Sequence, residues 1–283
     1  MYGKSIELFL VNGTADSIVT AELSNWNGKA IKIPRIEVAD CKRADLTEPG
    51  VYFLFCRDDD NDTDSVYIGE AENVRDRLVQ HLKDAAADKE KYYWNTAVVF
   101  TGRDLNKALI RYLENKLVDM ARASKRYEVL TKNTYKNTVL KESQTAAMDE
   151  FIDNIKVLIN TLGYKVLEPL LKKPEEGTAD DGMLYINTGK ASAEGQVTSE
   201  GFVVLAGAVI NEKTSVNSLG KGMVKLRKKH MESDRVQDLK TTEDILFSSS
   251  SAAADFVLGY SVSGPATWKD KNGKSLKEIE AEE

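Results

Sequence analysis

The chain has 283 residues, of which 42% are hydrophobic and 30% are charged, and its formal net charge is −6. This composition is typical of a soluble globular protein with enough chain for two domains of ordinary size. No apolar stretch approaches the roughly 20 residues of a membrane-spanning helix, and the first residues lack the apolar core of a signal peptide. We therefore expect a cytoplasmic protein without membrane contact, and the acidic balance argues against one that coats nucleic acid.

Cysteine and histidine are rare in this chain. Cys41 and Cys56 are the only cysteines, and His81 and His230 are the only histidines. Two isolated cysteines give no zinc pattern and are expected to stay reduced in the cytoplasm. The same counts exclude a metal centre built mainly from histidine.

The first 48 residues are predicted to form a small β-rich segment. Apolar and polar residues alternate between positions 4 and 38, Asn27-Gly28 is a strong turn signal, and residues 31–34 have the pattern of a strand that ends at a proline. Residues 37–46 are expected to form a short helix before Pro49-Gly50 breaks the chain.

Residues 50–81 are predicted to form a β-hairpin followed by a helix. Two apolar and aromatic runs, residues 50–56 and 66–69, flank a polar turn that carries five aspartates. Gly69 ends the second run. Asn73 is a suitable N-cap for a helix that begins near Val74.

One strand and two helices are predicted after the hairpin. Residues 92–100 have the composition of a third strand, and a long helix with regularly spaced apolar residues begins near Leu105. Glu114 borders the apolar stripe of that helix, so its carboxylate needs a partner such as a metal ion, an arginine or a capped backbone group. Residues 145–162 have the pattern of an amphipathic helix that ends at Gly163.

The remainder of the chain is predicted to be a linker and a second α+β domain. Residues 168–182 are rich in Pro, Glu, Gly and Asp and lack periodicity, which is typical of a linker. A run of serines at 248–251 is expected to cap a short helix rather than to bind phosphate. The other elements expected in this domain are strands at 183–187 and 202–210, a basic helix at 222–231 and a terminal hairpin at 268–276.

Basic residues are concentrated in two places despite the acidic total. Residues 101–141 contain ten Lys or Arg against four Asp or Glu, and a second basic cluster lies at 221–229. Phosphate contacts from such clusters would give salt-dependent affinity for nucleic acid. A solvated helix face is an equally good explanation for either cluster alone.

The predicted hairpin carries a family signature. Gly50-Val51-Tyr52 followed by residues 67–69, Tyr-Ile-Gly, resembles the paired motif of the GIY-YIG nucleases. Arg77 lies ten residues after Tyr67, where that family carries an arginine on a helix.

Three further residues extend the resemblance. His81 lies one helical turn beyond the arginine, where several members have a histidine or tyrosine. Glu114 resembles the metal-binding glutamate of the family, and Asn133 resembles its late asparagine. The C-terminal part of the chain resembles a domain of unknown function that is often fused to GIY-YIG domains.

The resemblance implies an α+β fold in which a small mixed or antiparallel sheet is flanked by helices, followed by a second small α+β domain. The expected domains are a β-rich N-terminal segment at 1–48, a nuclease-like domain at 49–145, a helix and linker at 146–181, and an accessory domain at 182–283.

The resemblance also implies a metal-dependent endonuclease that hydrolyses DNA, with Mg²⁺ or Mn²⁺ as cofactor. Glu114 would hold the ion, Arg77 would bind phosphate, and one of the two tyrosines would take a proton from water. The accessory domain is expected to help hold DNA or a partner protein. The expected catalytic residues are Tyr52, Tyr67, Arg77, His81, Glu114 and Asn133.

Each of these side chains also has a purely structural explanation. Strand tyrosines are common as half-buried packing, and a lone histidine is more often a surface or packing residue than a catalyst. Arg77 can pair with Glu70 or Glu72. Glu114 can form a salt bridge with Lys107 or Arg111.

Two features depart from the family pattern. Glu70 follows the second motif where many members have Lys, Gln or Arg, and an extra carboxylate there would repel phosphate unless it faces away or joins the metal. The acidic turn at 58–64 would repel DNA if it lay on the binding face. An inactive nucleic-acid-binding or protein-interaction module on the same fold is therefore the alternative function.

Overall fold

The computed structural model describes residues 3–58, 63–90, 92–134, 138–171 and 182–282. The chain divides into two compact units, Met1–Pro169 and Leu170–Glu283. Most of the predicted linker, residues 172–181, and the tip of the acidic turn, residues 59–62, lie outside the described residues. No helix in the described ranges is long and apolar enough to span a membrane.

The first unit is built on one mixed sheet of seven strands in the order β1-β2-β3-β6-β4-β5-β7. All neighbours are antiparallel except β5 and β7, which are parallel. The expected mixed sheet is thereby confirmed. The strands are β1 Ile6–Leu10, β2 Val19–Leu23, β3 Gly28–Pro34, β4 Gly50–Asp58, β5 Thr63–Ala71, β6 Trp94–Gly102 and β7 Glu128–Val129.

The strands of the predicted N-terminal segment belong to the same sheet as the hairpin. β3 pairs with β6 along its whole length, from Gly28 opposite Gly102 to Pro34 opposite Thr96. The short helix expected at 37–46 is wrong. Two 3₁₀ turns, Arg35–Glu37 and Ala44–Leu46, stand there instead.

Three helices cover the two faces of this sheet, and side-chain alternation along the strands decides what each face meets. On β4, Val51, Phe53 and Phe55 pack in the cluster that contains α2 and α3. Tyr52, Leu54 and Cys56 point the other way, into the cluster that contains α1. The helices are α1 Val74–Ala86, α2 Lys107–Ser124 and α3 Glu142–Thr161.

The second unit has a four-stranded antiparallel sheet in the order β13-β10-β9-β8 and a two-stranded ladder of β11 and β12. Its strands are β8 Met183–Asn187, β9 Ser192–Thr198, β10 Gly201–Val204, β11 Val236–Gln237, β12 Lys240–Thr241 and β13 Ile245–Phe247. Its helices are α4 Lys221–Met231, α5 Ser250–Leu258, α6 Gly264–Thr267 and α7 Leu276–Glu280.

Two elements of this unit differ from the sequence prediction. The strand expected at 202–210 ends at Val204, since the chain turns at Gly207, whose φ is +94°. The terminal hairpin is reduced to one bridge between Lys269 and Ser275, and Ser275 then caps α7. The serine cap of α5 is confirmed, because the Ser249 side chain accepts a hydrogen bond from the Ala252 amide.

Burial of His230 should make the second unit sensitive to acid. The ring packs against Phe247 and Phe256, and burial, with Arg235 and Lys229 nearby, lowers its pKa to about 4. The unfolded chain, with a histidine pKa of about 6.5, therefore binds more protons between these values. Stability is lost as pH falls from about 6.5 towards 4.

We expect His230→Gln to reduce this acid sensitivity by about 2 kcal/mol between pH 7 and pH 4.5. Hydrogen-exchange protection of residues 245–258, measured at both pH values in the full-length protein, checks this. Equal losses of protection in the wild type and the variant would contradict it.

Candidate active site

Four of the predicted site residues meet on the face of the sheet that α1 covers. Tyr52 is only 1% exposed, and its hydroxyl lies 2.9 Å from Nε2 of His81. Arg77 donates a hydrogen bond from Nε to the same hydroxyl, with an N–O distance of 3.3 Å. The Tyr67 ring lies 6.2 Å from the Tyr52 ring and 5.3 Å from the His81 ring, centroid to centroid. These four side chains are called the tyrosine cluster below.

The local sequence determines how α1 presents its two polar residues. Asn73 caps the helix by accepting a hydrogen bond from the Asp76 amide, as predicted. Val74 and Leu78 are fully buried against the sheet. Arg77 and His81 are one turn apart, so both reach the tyrosines from one side of the helix.

Gly69 makes room for the Tyr52 hydroxyl. A Cβ atom at this position would lie closer to the hydroxyl and ring of Tyr52 than two non-bonded atoms can approach. The glycine of the second motif therefore has a steric role that does not depend on its backbone dihedral angles.

His81 has a second polar contact that sequence reasoning missed. Its Nδ1 atom hydrogen-bonds to Oε1 of Glu90, which lies between α1 and β6. The side chains of His81 and Glu90 are 1% and 12% exposed. Burial lowers the pKa of His81, and the Glu90 carboxylate partly offsets that shift.

The electrostatics of the tyrosine cluster favour a neutral Tyr52 phenol beside a permanent cation. Burial raises the pKa of Tyr52 well above 10, and Tyr67 adds to this rise while Arg77 opposes it. Burial alone would lower the pKa of Arg77, but the hydroxyls of Tyr52 and Tyr67 raise it above its ordinary value. Arg77 therefore stays charged.

Tyr67 is the more accessible of the two tyrosines. It is half-buried, whereas Tyr52 is almost completely enclosed. Its ring stacks on Tyr92, with the centroids 5.8 Å apart. Tyr67 therefore borders the surface from which a solvent molecule or ligand can approach the cluster.

Glu114 lies in a different cluster, on the face that α2 covers. The residue is 6% exposed, and Oε2 has no hydrogen-bond partner among the described residues. Burial, together with the nearby Glu70 carboxylate, raises the pKa of Glu114 to about 7, while Lys107 and Arg111 oppose the rise. Glu70 and Glu114 are called the carboxylate pair below.

Glu70 is bound by the cations that were expected for Glu114. Lys107 donates to Oε2 of Glu70 at 2.9 Å, and Nε of Arg111 lies 3.8 Å from Oε1. Arg77 donates to Tyr52 instead of pairing with Glu70. The extra carboxylate is therefore charge-compensated and faces α2, away from the tyrosines.

Glu114 has the properties of a ligand for a divalent cation. A buried carboxylate oxygen without a partner is costly, and a cation nearby would remove both that cost and the repulsion from Glu70. In the described ranges no group of three or more His, Cys, Asp or Glu side chains could hold a metal ion. An ion at Glu114 would thus keep several waters, which suits Mg²⁺.

The sixth predicted site residue, Asn133, follows β7. It is exposed, in the segment after β7. Thr131, two residues earlier, ties that segment to β5 by exchanging hydrogen bonds with both backbone groups of Ile68. The structure thus brings Asn133 near β5 but gives it no hydrogen bond to the other candidates within the described residues.

Family models match a part of each unit. The model of the GIY-YIG catalytic domain matches residues 48–128, and that of the domain of unknown function DUF4357 matches residues 184–280. No curated protein and no solved structure matches the chain. The first match covers β4, β5, α1 and α2, which carry the tyrosine cluster and the carboxylate pair. The chain therefore carries a GIY-YIG domain, the domain of a nuclease family, followed by a C-terminal DUF4357 domain.

Proposed function

We propose that this protein is a metal-dependent endonuclease that hydrolyses phosphodiester bonds in DNA. One observation carries the proposal: the Tyr52 hydroxyl contacts a permanent cation, Arg77, on one side and a proton acceptor, His81, on the other. Phosphodiester hydrolysis needs both, since the phosphate must be bound and the attacking water must lose a proton.

Arg77 is the proposed phosphate ligand. Its Nε atom donates a hydrogen bond to the Tyr52 hydroxyl, which orients the guanidinium, and its outer N–H groups are proposed to donate to phosphate oxygens. The Arg77 side chain is half-buried and hydrogen-bonded to Tyr52. Such preorganised donors stabilise charge that develops at phosphorus.

Tyr52 and His81 are proposed to accept the proton of water together. A phenol with a pKa well above 10 does not ionise at neutral pH, so it can act as a base only if it passes its own proton on. His81 is neutral at that pH, because its pKa is lowered, and it is in hydrogen-bond contact. Tyr67, which is half-buried, is proposed to orient the water at the entrance to the cluster.

The carboxylate pair is proposed to supply the metal site, with Glu114 as ligand to Mg²⁺ or Mn²⁺. A bound divalent ion would polarise the phosphate and stabilise the leaving oxygen. The two clusters lie near each other at the end of β5. Tyr67 and Glu70 are three residues apart on this strand, which is about 10 Å. A phosphodiester lying across this end of β5 would be within reach of both.

Exposed lysines of α4 are proposed to add affinity for DNA. Lys221, Lys225 and Lys228 are exposed along this helix. Arg227, a member of the predicted basic cluster, is not available for this purpose, because it is completely buried and donates to the Phe256 carbonyl oxygen. We also propose that the accessory domain can bind a partner protein.

Replacing Glu114 should separate activity from stability. Because the fold raises the pKa of this carboxylate, its charge is unfavourable in the metal-free protein, and Glu114→Gln should unfold at the same or a higher temperature than the wild type. We expect plasmid cleavage with Mg²⁺ or Mn²⁺ to fall roughly 100-fold or more. Asp119→Asn, on the exposed side of the same helix, is the matched control and should change neither property.

A folded Glu114→Gln variant that cuts at the wild-type rate would show that the proposed metal site is wrong. A wild-type protein that never cuts plasmid, but binds DNA with an affinity that falls steeply with salt, would instead identify the inactive binding module.

The variant Arg77→Ala tests the tyrosine cluster in the same plasmid-cleavage assay. It should abolish cleavage, whereas Lys83→Ala, at an exposed position of α1, should not.

The position of the Tyr52 hydroxyl should matter as much as its presence. Tyr52→Phe removes the hydroxyl, and we expect kcat to fall roughly 100-fold. Gly69→Ala displaces the ring and should produce a comparable loss. Gly222→Ala makes the same chemical change where nothing lies within 4 Å of the new methyl group, so it should leave kcat unchanged. Full activity of Gly69→Ala, measured as single-turnover cleavage, would contradict this role of the hydroxyl.

A further inference from the structure

We propose that Glu90 is a positioning residue for the hydrolysis, which fixes the His81 ring in the tautomer that receives the proton of Tyr52. This inference rests on the proposed function and names a residue outside the paired motif. It follows from a continuous row of contacts, Tyr52 hydroxyl to His81 Nε2 and His81 Nδ1 to Glu90 Oε1.

The chemistry of the three groups determines where the protons lie. An ionised carboxylate only accepts hydrogen bonds, so the bond from Nδ1 to Glu90 requires a proton on Nδ1. In a neutral imidazole the other nitrogen then carries a lone pair. Nε2 of His81 must therefore accept from the Tyr52 hydroxyl, which is the direction of transfer that the reaction needs.

Because His81 and Glu90 are shielded from solvent, the hydrogen bond between them is not easily replaced by one to water. The side chain of His81 is 1% exposed and that of Glu90 is 12% exposed, and Oε2 of Glu90 has no hydrogen-bond partner among the described residues. Water is therefore a poor substitute for the carboxylate at Nδ1. The Glu90 charge, held so close, also stabilises the imidazolium that forms when His81 takes up a proton.

The segment that carries Glu90 is fixed at both ends. The amide of Lys89 donates to the carbonyl oxygen of Asp84 at 2.9 Å, which anchors the segment to the end of α1. On the other side, Tyr92 stacks on Tyr67, and Trp94 is completely buried at the start of β6. Tyr92 thus connects the residues that follow Glu90 to the tyrosine cluster.

In the proposed step, every proton that one group releases is accepted by another. Water gives one proton to the Tyr52 oxygen as its own oxygen bonds to phosphorus and the bond from phosphorus to the leaving oxygen breaks. Tyr52 at the same time gives its hydroxyl proton to Nε2 of His81. His81 becomes an imidazolium beside the Glu90 carboxylate and later returns the proton to solvent or to the leaving oxygen. Glu90 itself stays ionised and transfers no proton.

Nitrogen-15 NMR of the full-length protein tests the tautomer without any need for activity. The chain has two histidines, so His230→Gln assigns the remaining signals to His81. We expect wild-type His81 to carry its proton on Nδ1. In Glu90→Leu the proton should move to Nε2. Asp88→Asn, which removes a carboxylate from the same segment, is the matched control and should leave the tautomer unchanged.

Kinetics of Glu90→Gln provide the second measurement. We expect kcat to fall at least tenfold with KM unchanged. The acidic limb of the pH–rate profile should also move to lower pH, since His81 loses its stabilising carboxylate and keeps Arg77 and Asp84 as its other charged neighbours. A residue with only a structural role would lower the rate without moving that limb.

Two results would overturn the proposal: a wild-type His81 protonated on Nε2, or a Glu90→Gln enzyme with wild-type kcat and an unmoved acidic limb. A wild-type protein that does not cleave DNA would refute the proposed function separately. The NMR result would then still decide whether Glu90 sets the tautomer of His81.

Discussion

The architecture of the site depends on the alternation of side chains along β5. Tyr67 faces α1 and the tyrosine cluster, whereas Glu70, three residues later, faces α2 and pairs with Lys107. Because consecutive side chains of a strand point to opposite faces, one strand can serve two chemically different clusters that α1 and α2 complete separately. Gly69 lies between them and leaves the space that the Tyr52 hydroxyl fills.

This division keeps incompatible charges apart. The tyrosine cluster combines the cation of Arg77 with tyrosine hydroxyls, which suits an anionic ligand. The α2 side holds two carboxylates. Lys107 and Arg111 compensate Glu70, whereas Oε2 of Glu114 has no hydrogen-bond partner in the part of the chain that the structure describes. An unpaired buried carboxylate is costly to a fold, and groups of this kind concentrate at functional sites. In the proposed function, one phosphodiester would contact Arg77 directly and a metal ion held by Glu114.

Local pattern was sufficient to predict the hairpin, the Asn73 cap of α1 and the helix α2, since each follows from turn, capping or helical spacing. The grouping of Tyr52, Tyr67 and Arg77 was expected only from the resemblance to the GIY-YIG family. The alternation of side chains along β5 could also have predicted that Glu70 and Tyr67 lie on opposite faces of the sheet. Glu90 could not be predicted. It meets His81 only because the segment after α1 folds back, and no motif spacing marks it. β9 was missed because its buried positions are the small residues Ala193 and Gly195.

The central claim is that both clusters act on a single phosphodiester at the end of β5. Crystals of the protein grown with Mn²⁺ and a short DNA that carries a non-hydrolysable linkage test this most directly, because anomalous scattering locates the ion. The account predicts Mn²⁺ bound to Glu114 and to an oxygen of the same phosphate that Arg77 contacts. An ion elsewhere, or a phosphate held only by the α4 lysines, would contradict it.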